Sequence, residues 1–476
     1  MQRRPEELLL NESYEFNVTV KATENYFSAK LKLTPKSINL RVTGEESEGR
    51  KYSGGWSDLE TLTCQATNTT FILTNLKIQK STSGIITQNP KLITFFEIDY
   101  IVEYLIMTPS DTGLKLKFNE ISIYSETLNK WIGHTRIQRK IIDSYHNKTI
   151  PEHFNEFREP LNKHLTLGAS YSIKTYSSSS NFEAGINFPP LLYLRLDSST
   201  TAEKIIAEYN RLYAILSTIT GSNLSVQKIQ INYNSSHHKK ASLYYTNKAH
   251  KPNFQNTILF PLGKDIWTGP LTPEFPLEAF SQYFKLPETE QSYFAKYLKY
   301  REMNNNEDRF LGYFRILESL CFNSKKFIND EILNEIKDLI KTHLTLTEIS
   351  KKDAYSFIRG LDRYNNSKYN TEKCITDFFK RIPDTTKTQW KFNNDSIKEI
   401  CKLRNDITHA NNYYYDEASL HGYTKFAEAL LIIALLEKIG IHPDISGKII
   451  KRMDGHFWIT ASSAAVNIEF PAQNDK

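Results

Sequence analysis

Apolar and polar residues alternate strictly near the start of the chain. In YEFNVTV, Tyr14, Phe16, Val18 and Val20 alternate with polar positions, and Phe27, Ala29, Leu31 and Leu33 repeat the pattern. A Thr-Pro-Lys-Ser turn follows, and Ile38, Leu40 and Val42 resume it. A period of two broken by turn residues predicts half-buried antiparallel strands. Further strands are expected at 71–78, 93–107 and 114–124. In the last of these, Leu114, Leu116 and Phe118 give way to Ile121 and Ile123. The change of parity at Asn119–Glu120 predicts a bulge or tight turn. Residues 1–155 are therefore expected to form a β-sandwich-like domain.

The pattern over 156–300 is mixed. A Ser-rich loop, SSSSNFEAG, precedes a buried strand, LLYLRL. Thr200 and Glu203 have the spacing of a capping box, and Ile205, Tyr209, Leu212, Leu216 and Ile219 then recur at helical spacing up to Gly221. VQKIQINYN reads as another strand. This region is expected to be an α+β middle domain.

From about residue 288 the period becomes helical. ETEQSYFAKYLKYREM predicts one helix, ended by Asn304–Asn306. Glu307 and Asp308 suit the first turn of the next, which carries Phe310, Phe314, Leu317 and Cys321 on one face. Shorter helices are expected at 330–343, 353–363 and 371–382, the last closed by Pro383. DSIKEICKLRNDITH predicts another, capped by Asp395, and a long helix over 417–439 turns Phe426, Leu430, Ile433 and Leu436 inward. Residues 301–476 thus read as an all-α helical bundle, and the whole chain as an α+β multidomain protein.

Composition changes this picture little. With 39% hydrophobic and 24% charged residues, each domain can build a core. The net charge of +6 allows a nucleic-acid partner without requiring one, and no dense Lys/Arg run is present. Cys64, Cys321, Cys374 and Cys401 make no Cys-x-x-Cys pair, which predicts a reducing, cytoplasmic setting with neither a disulfide framework nor a zinc site. His237–His238 lies in a Ser/Lys-rich loop and reads as solvated. No cofactor or metal is expected. MQRRPEELLLNES has too short an apolar stretch for a signal peptide, and ALLIIALL, between Glu428 and Glu437, is too short to cross a bilayer.

The candidate chemistry is in SIKEICKLRNDITHANN. Arg404 is followed by Asn405, and four residues separate Arg404 from His409. Arg-x-x-x-x-His with a polar residue after the Arg is the catalytic signature of HEPN ribonucleases. Alone it is weak, because 17 arginines and 12 histidines give roughly one chance match when four to six intervening residues are allowed. Arg139 to His146 and Arg158 to His164 are two others. Glu159 and Pro160 exclude a helix interior at Arg158, and Arg139 is followed by Lys. Only Arg404 sits late on an amphipathic helix with another long helix after it. Five helical positions turn by about 500°, so Arg404 and His409 diverge by about 140° and about 7.5 Å of rise, whereas Asn405 and His409 share a face. Two such helix ends meeting across a dimer would pool two Arg and two His in one cleft. An imidazole can move protons at the ribose 2′-hydroxyl and the leaving 5′-oxygen, and a guanidinium suits a phosphorane. A plainer reading stays open: a His in the last turn gains from the helix dipole, and an Arg one turn earlier covers apolar surface.

Those residues lead to a resemblance. DRFLGYFRILESLCF, with Glu318, resembles the first HEPN helix of the ApeA-like HEPN family, a bacterial anti-phage defence group, and KLRNDITHAN resembles its Arg-Asn-x-x-x-His helix. YFSAKLKLTPKSINLRVTGE resembles the opening hairpin of that family's N-terminal domain, and ISIYSETLNKWIG its Trp-bearing strand. The resemblance implies a ribonuclease of abortive-infection immunity that cuts host or phage RNA, with transfer RNA among its targets. It implies a homodimer or larger assembly and a phage-derived trigger; no membrane partner is expected, because the longest apolar run is too short. Arg404 and His409 match the family's catalytic pair and Asn405 the polar position between them. Glu318 matches an acidic position of the first helix, with either a supporting role or an ion pair to Arg315. Asp406 departs from the basic or apolar residue expected there, and either repels phosphate or holds Arg404 until activation.

Overall fold

The computed structural model describes residues 7–22, 25–47, 57–88, 91–109, 116–147, 154–178, 183–233, 240–246, 257–267, 272–323, 325–346, 349–366, 368–411 and 413–461. The chain divides into two units, Met1–Leu286 and Pro287–Lys476.

The first unit is built on antiparallel strands. β1 (Tyr14–Ala22), β2 (Asn25–Thr34), β3 (Ser37–Ser47), β4 (Leu59–Ala66), β5 (Thr69–Gln88) and β6 (Lys91–Val102) pair in the order β4-β1-β2-β3-β6-β5. β5 pairs back onto β4, so these six strands close into a barrel. Closure leaves the alternating side chains nowhere to go but inward. Val18, Ala29, Val42 and Ile98 stand in one register row, Phe16, Leu31, Leu40 and Tyr100 in the next, and all are buried.

The outer edge of Thr70–Thr74 carries the sheet onward. β7 (Tyr104–Thr108), β15 (Lys240–Tyr245), β14 (Val226–Tyr233), β8 (Phe118–Ser125), β13 (Pro190–Thr200), β10 (Leu165–Tyr171) and β9 (Phe154–Pro160) follow in that order. The expected 93–107 strand is two strands, broken at Glu103. The parity slip is a bulge: Phe118 faces Tyr233 and Glu120 faces Asn232, which leaves Asn119 as the extra residue. β11 (Lys174–Ser178) and β12 (Glu183–Asn187) form a separate hairpin around the Ser-rich stretch, whose tip lies outside the described residues, as does His237–His238.

The expected boundary at residue 155 does not exist. Ile121 of β8 pairs with Leu194 of β13 and Ile231 of β14, so strands on both sides of 155 share one sheet. Alternation reveals strands one at a time and says nothing of partners some 70 to 110 residues away. The helices of this unit are α1 (Glu126–Ile132), α2 (Arg136–His146), α3 (Ala202–Thr220) and α4 (Glu278–Lys285). Trp131 lies on α1 rather than on a strand; it is fully buried and donates its Nε1 hydrogen to the Phe260 carbonyl at 2.9 Å. α3 starts after Thr201, whose side chain makes no cap hydrogen bond, so the expected Thr200–Glu203 capping box is not formed; the helix ends at Gly221 with φ 72°.

The second unit is helical: α5 (Glu288–Arg301), α6 (Asn306–Cys321), α7 (Asp330–Thr345), α8 (Lys351–Asn365), α9 (Thr371–Arg381), α10 (Asp384–Lys387), α11 (Asn394–Thr408), α12 (Glu417–Lys438) and α13 (Pro443–Ile449). α5 packs on α6, which moves 288–300 out of the expected middle domain and into the bundle. Side-chain caps from Asn305, Asn329, Ser350, Asn370, Asn393 and Asp416 start the longer helices from α6 onward. α12 has the length and hydropathy of a membrane span, and here it is the core helix, buried continuously from Phe426 to Leu436.

Candidate active site

α11 starts with a capping box between Asn393 and Ser396, which replaces the expected cap at Asp395. Ile397, Ile400 and Leu403 are fully buried and pin the helix against α6 and α9. Arg404 follows directly and stands at the rim of this apolar strip, 29% exposed. Its guanidinium lies 5.9 Å from the centre of the Phe314 ring on α6. Nη2 donates to Glu318 Oε2 at 3.1 Å, and Nη1 donates to Asn405 Oδ1 at 3.0 Å. Glu318 Oε1 accepts in turn from Thr371 Oγ1, the first residue of α9, at 2.5 Å. Three helices therefore aim the arginine.

This arrangement fixes the partners of Glu318 and Asp406. Glu318 does form an ion pair, and its partner is Arg404 rather than Arg315. Asp406 does not hold Arg404; its Oδ1 accepts from Asn411 Nδ2 at 3.1 Å. Thr371, Phe314 and Asn411 are not expected at the site from the sequence; Phe314 reads there only as part of the apolar face of its helix. Each reaches the site from another helix or from beyond a helix end, so no local spacing marks it.

His409 is the C-cap residue of α11 and is exposed. Its backbone N–H donates to the Asn405 carbonyl at 2.9 Å, and its imidazole has no hydrogen-bond partner among the described residues. The structure joins Arg404, Asn405 and Glu318, and leaves the His409 ring separate from them. The helix end is firm: Thr408 Oγ1 donates to the Arg404 carbonyl at 2.7 Å. Beyond it, Asn411 N–H bonds the Asp406 carbonyl at 2.9 Å and Ala410 N–H the Ile407 carbonyl at 3.4 Å, the paired bonds of a Schellman ending. Ala410 takes the left-handed conformation this needs, φ 52°, where Gly is usual. Ala410→Gly is expected to stabilise the helical unit by about 0.5–1 kcal/mol, the left-handed strain less the extra freedom of the unfolded glycine. A urea midpoint equal to or below that of the parent chain would contradict this.

Cysteine chemistry is disfavoured nearby. Burial pushes the Cys401 thiol up to about 12, with Glu372 and Glu318 adding to the rise. Burial likewise raises Cys321 to about 12. Neither is a thiolate near neutral pH, and the thiolate is the nucleophile. The rival Arg/His spacings have different settings: Arg139 and His146 lie on α2, and Arg158 lies on strand β9.

A helical bundle presenting an Arg-Asn-x-x-x-His helix end, anchored to an acidic residue on a preceding helix, defines a HEPN-type domain. Family models agree. The Apea-like HEPN model matches residues 311–445, and the ApeA N-terminal domain 1 model matches 13–264, more than half of the chain. The chain belongs to the ApeA-like HEPN family, which places it among anti-phage defence HEPN proteins with a nuclease-like domain. The N-terminal match spans the interrupted boundary at 155, in keeping with the single sheet. No curated protein and no solved structure matches the chain.

Proposed function

We propose that this protein is a metal-independent endoribonuclease that cuts RNA, transfer RNA among its targets, in the cytoplasm during anti-phage defence. The observation that carries the reading is that a buttressed guanidinium at Arg404 and an exposed imidazole at His409, unbonded among the described residues, share one helix end. The 2′-hydroxyl loses its proton to an imidazole as its oxygen attacks phosphorus. The bond from phosphorus to the 5′-oxygen then breaks, and that oxygen takes up a proton. Arg404 neutralises the charge on the phosphorane, and Asn405 holds the guanidinium or a phosphate oxygen. Arg404 and His409 diverge around the helix, so the complete set comes from two copies in a homodimer. The products are a 2′,3′-cyclic phosphate and a 5′-hydroxyl.

Incubation of the purified full chain with total RNA in EDTA tests this. Cleavage with those ends is expected. A strict requirement for added magnesium, or 3′-hydroxyl ends, would overturn it. A second reading is favoured by Glu318, which already satisfies the guanidinium: the bundle holds RNA or a protein partner without cleaving, and the β-rich unit acts as sensor. Retention of RNA without any cleavage would select it.

A further inference from the structure

α2 turns a cationic side outward. Its inward side is fixed by Ile141, which is fully buried, with Ile137, Gln138, Ser144 and Tyr145 half-buried around it. Arg139, Arg136 and Lys140 fall within about 100° of arc on the other side, and all three are exposed. None of them has an ion pair among the described residues, whereas Arg41, Arg195 and Arg211 of the same unit each meet a carboxylate. Asp143 is the only acid on α2. The positive excess of the chain lies almost wholly in residues 1–300.

An exposed indole stands at the head of this helix. Trp267 is 77% exposed, while Trp131 and Trp390 are buried. Its ring meets His134 edge to face, 6.4 Å between centres, two residues before Arg136. Backbone bonds hold it there. The Leu262 N–H donates to the Trp131 carbonyl at 2.9 Å and the Ile266 N–H to the His134 carbonyl at 2.7 Å. The Trp267 N–H donates to Asp265 Oδ1 at 2.8 Å. Gly133, with φ 70°, permits the approach, because a Cβ there would stand 2.8 Å from Asp265 Oδ2. A fixed loop thus presents an aromatic ring to solvent beside a row of unpaired cations.

We infer that Trp267 and the outward side of α2 bind a single strand of nucleic acid, with a base stacked on the indole and phosphates on Arg136, Arg139 and Lys140. Chemistry selects this occupant. An exposed ring stacks any unpaired base, and cations at helical spacing neutralise a phosphate backbone. A duplex keeps its base faces inside its own stack and offers the indole nothing. A membrane surface would call for a band of apolar side chains beside the cations, and the outward side of α2 supplies only Ile142. An acidic peptide would use the cations and leave the indole idle. The site belongs to the first unit alone and does not rest on RNA cleavage.

The test is fluorescence titration of the full chain with two short single-stranded probes, DNA and 2′-O-methyl RNA. Neither has the free 2′-hydroxyl that the proposed cleavage uses. Both are expected to bind and to quench indole emission. Trp267→Phe is expected to keep most of the affinity and lose the quench. Trp267→Ala is expected to weaken binding by roughly 5–150-fold, the range for one stacked base. Arg136→Gln/Arg139→Gln/Lys140→Gln is expected to lower the slope of log affinity against log salt by about 2, at about 0.7 per phosphate contact on a single strand. Circular dichroism should be unchanged throughout, because all four side chains are exposed. The inference is overturned by a parent chain that binds neither probe, by Trp267→Ala protein that binds as the parent does, by a quench that survives in Trp267→Phe, or by an unchanged salt slope. Binding to phosphatidylserine vesicles in place of the probes overturns it too. A parent chain that shows these effects and cuts no RNA overturns the nuclease reading and leaves the site standing.

Discussion

Replacing His409 with alanine is expected to lower RNA cleavage by about 10²–10⁴-fold, the range for loss of a general acid–base group. The fold should be untouched, because the side chain is exposed and its imidazole bonds to nothing among the described residues. Toxicity on overexpression should fall with cleavage, while RNA retention persists. Arg404→Ala should cost as much activity and also some stability, because Glu318 is only 28% exposed and loses its cation. Arg404→Lys keeps the charge but cannot reach both Glu318 and Asn405 with a planar fork, so most of the loss should remain. Combining the His409 and Arg404 changes should cost little beyond either alone if the groups act on one transition state. The measurement is the initial rate on a defined RNA with end analysis. His409→Ala protein that cuts at the parent rate would remove the imidazole from the mechanism.

The second large effect is expected far from the helix end. Glu428 is 3% exposed on α12. Lys425 Nζ donates to its Oε2 at 2.9 Å, and the Tyr297 and Tyr313 hydroxyls donate to its Oε1 at 3.2 and 3.3 Å. Burial, then the Glu428 carboxylate, raises the pKa of both phenols, so they stay protonated and remain donors. One carboxylate thus ties α12 to α5 and α6. Glu428→Ala leaves the Lys425 ammonium buried without a counter-charge and two phenols without an acceptor. The expected cost is about 3–5 kcal/mol, the range for breaking a buried pair from one side. Lys425→Met with Glu428→Leu should cost much less, because both charges leave together. Urea unfolding of the helical unit checks both; a loss under 1 kcal/mol in Glu428→Ala would mean that water already reaches the pair.

The limits of sequence reading follow from these cases. The bulge at Asn119 was legible because a parity slip is a local signal and the strand around it keeps its period. α6 and α9 were legible for the same reason, with start and stop residues close to the observed ends, and α11 was legible as a helix although its cap is Asn393 and not Asp395. Arg404, Asn405 and His409 were legible as a motif. The bond from Glu318 to Arg404 was not, because 86 positions separate the two and Arg315 lies closer along the chain. Glu428 borders the apolar run ALLIIALL and reads there as a charged boundary; packing of α5 and α6 over it makes it a buried hub.

The sequence by itself determined the type of β1–β3, of α3 and of the longer helices from α5 onward, though not of β4 or α2, the order of β-rich before helical, and the residues that carry the candidate chemistry, because periodicity, caps and short motifs are properties of neighbouring residues. The tertiary structure alone decided that six strands close into a barrel and continue across residue 155 as one sheet. It also decided which carboxylate holds Arg404 and that Trp267 stands at the head of α2. Those outcomes depend on pairings between distant segments, whose free energy appears only when the chain has brought them together.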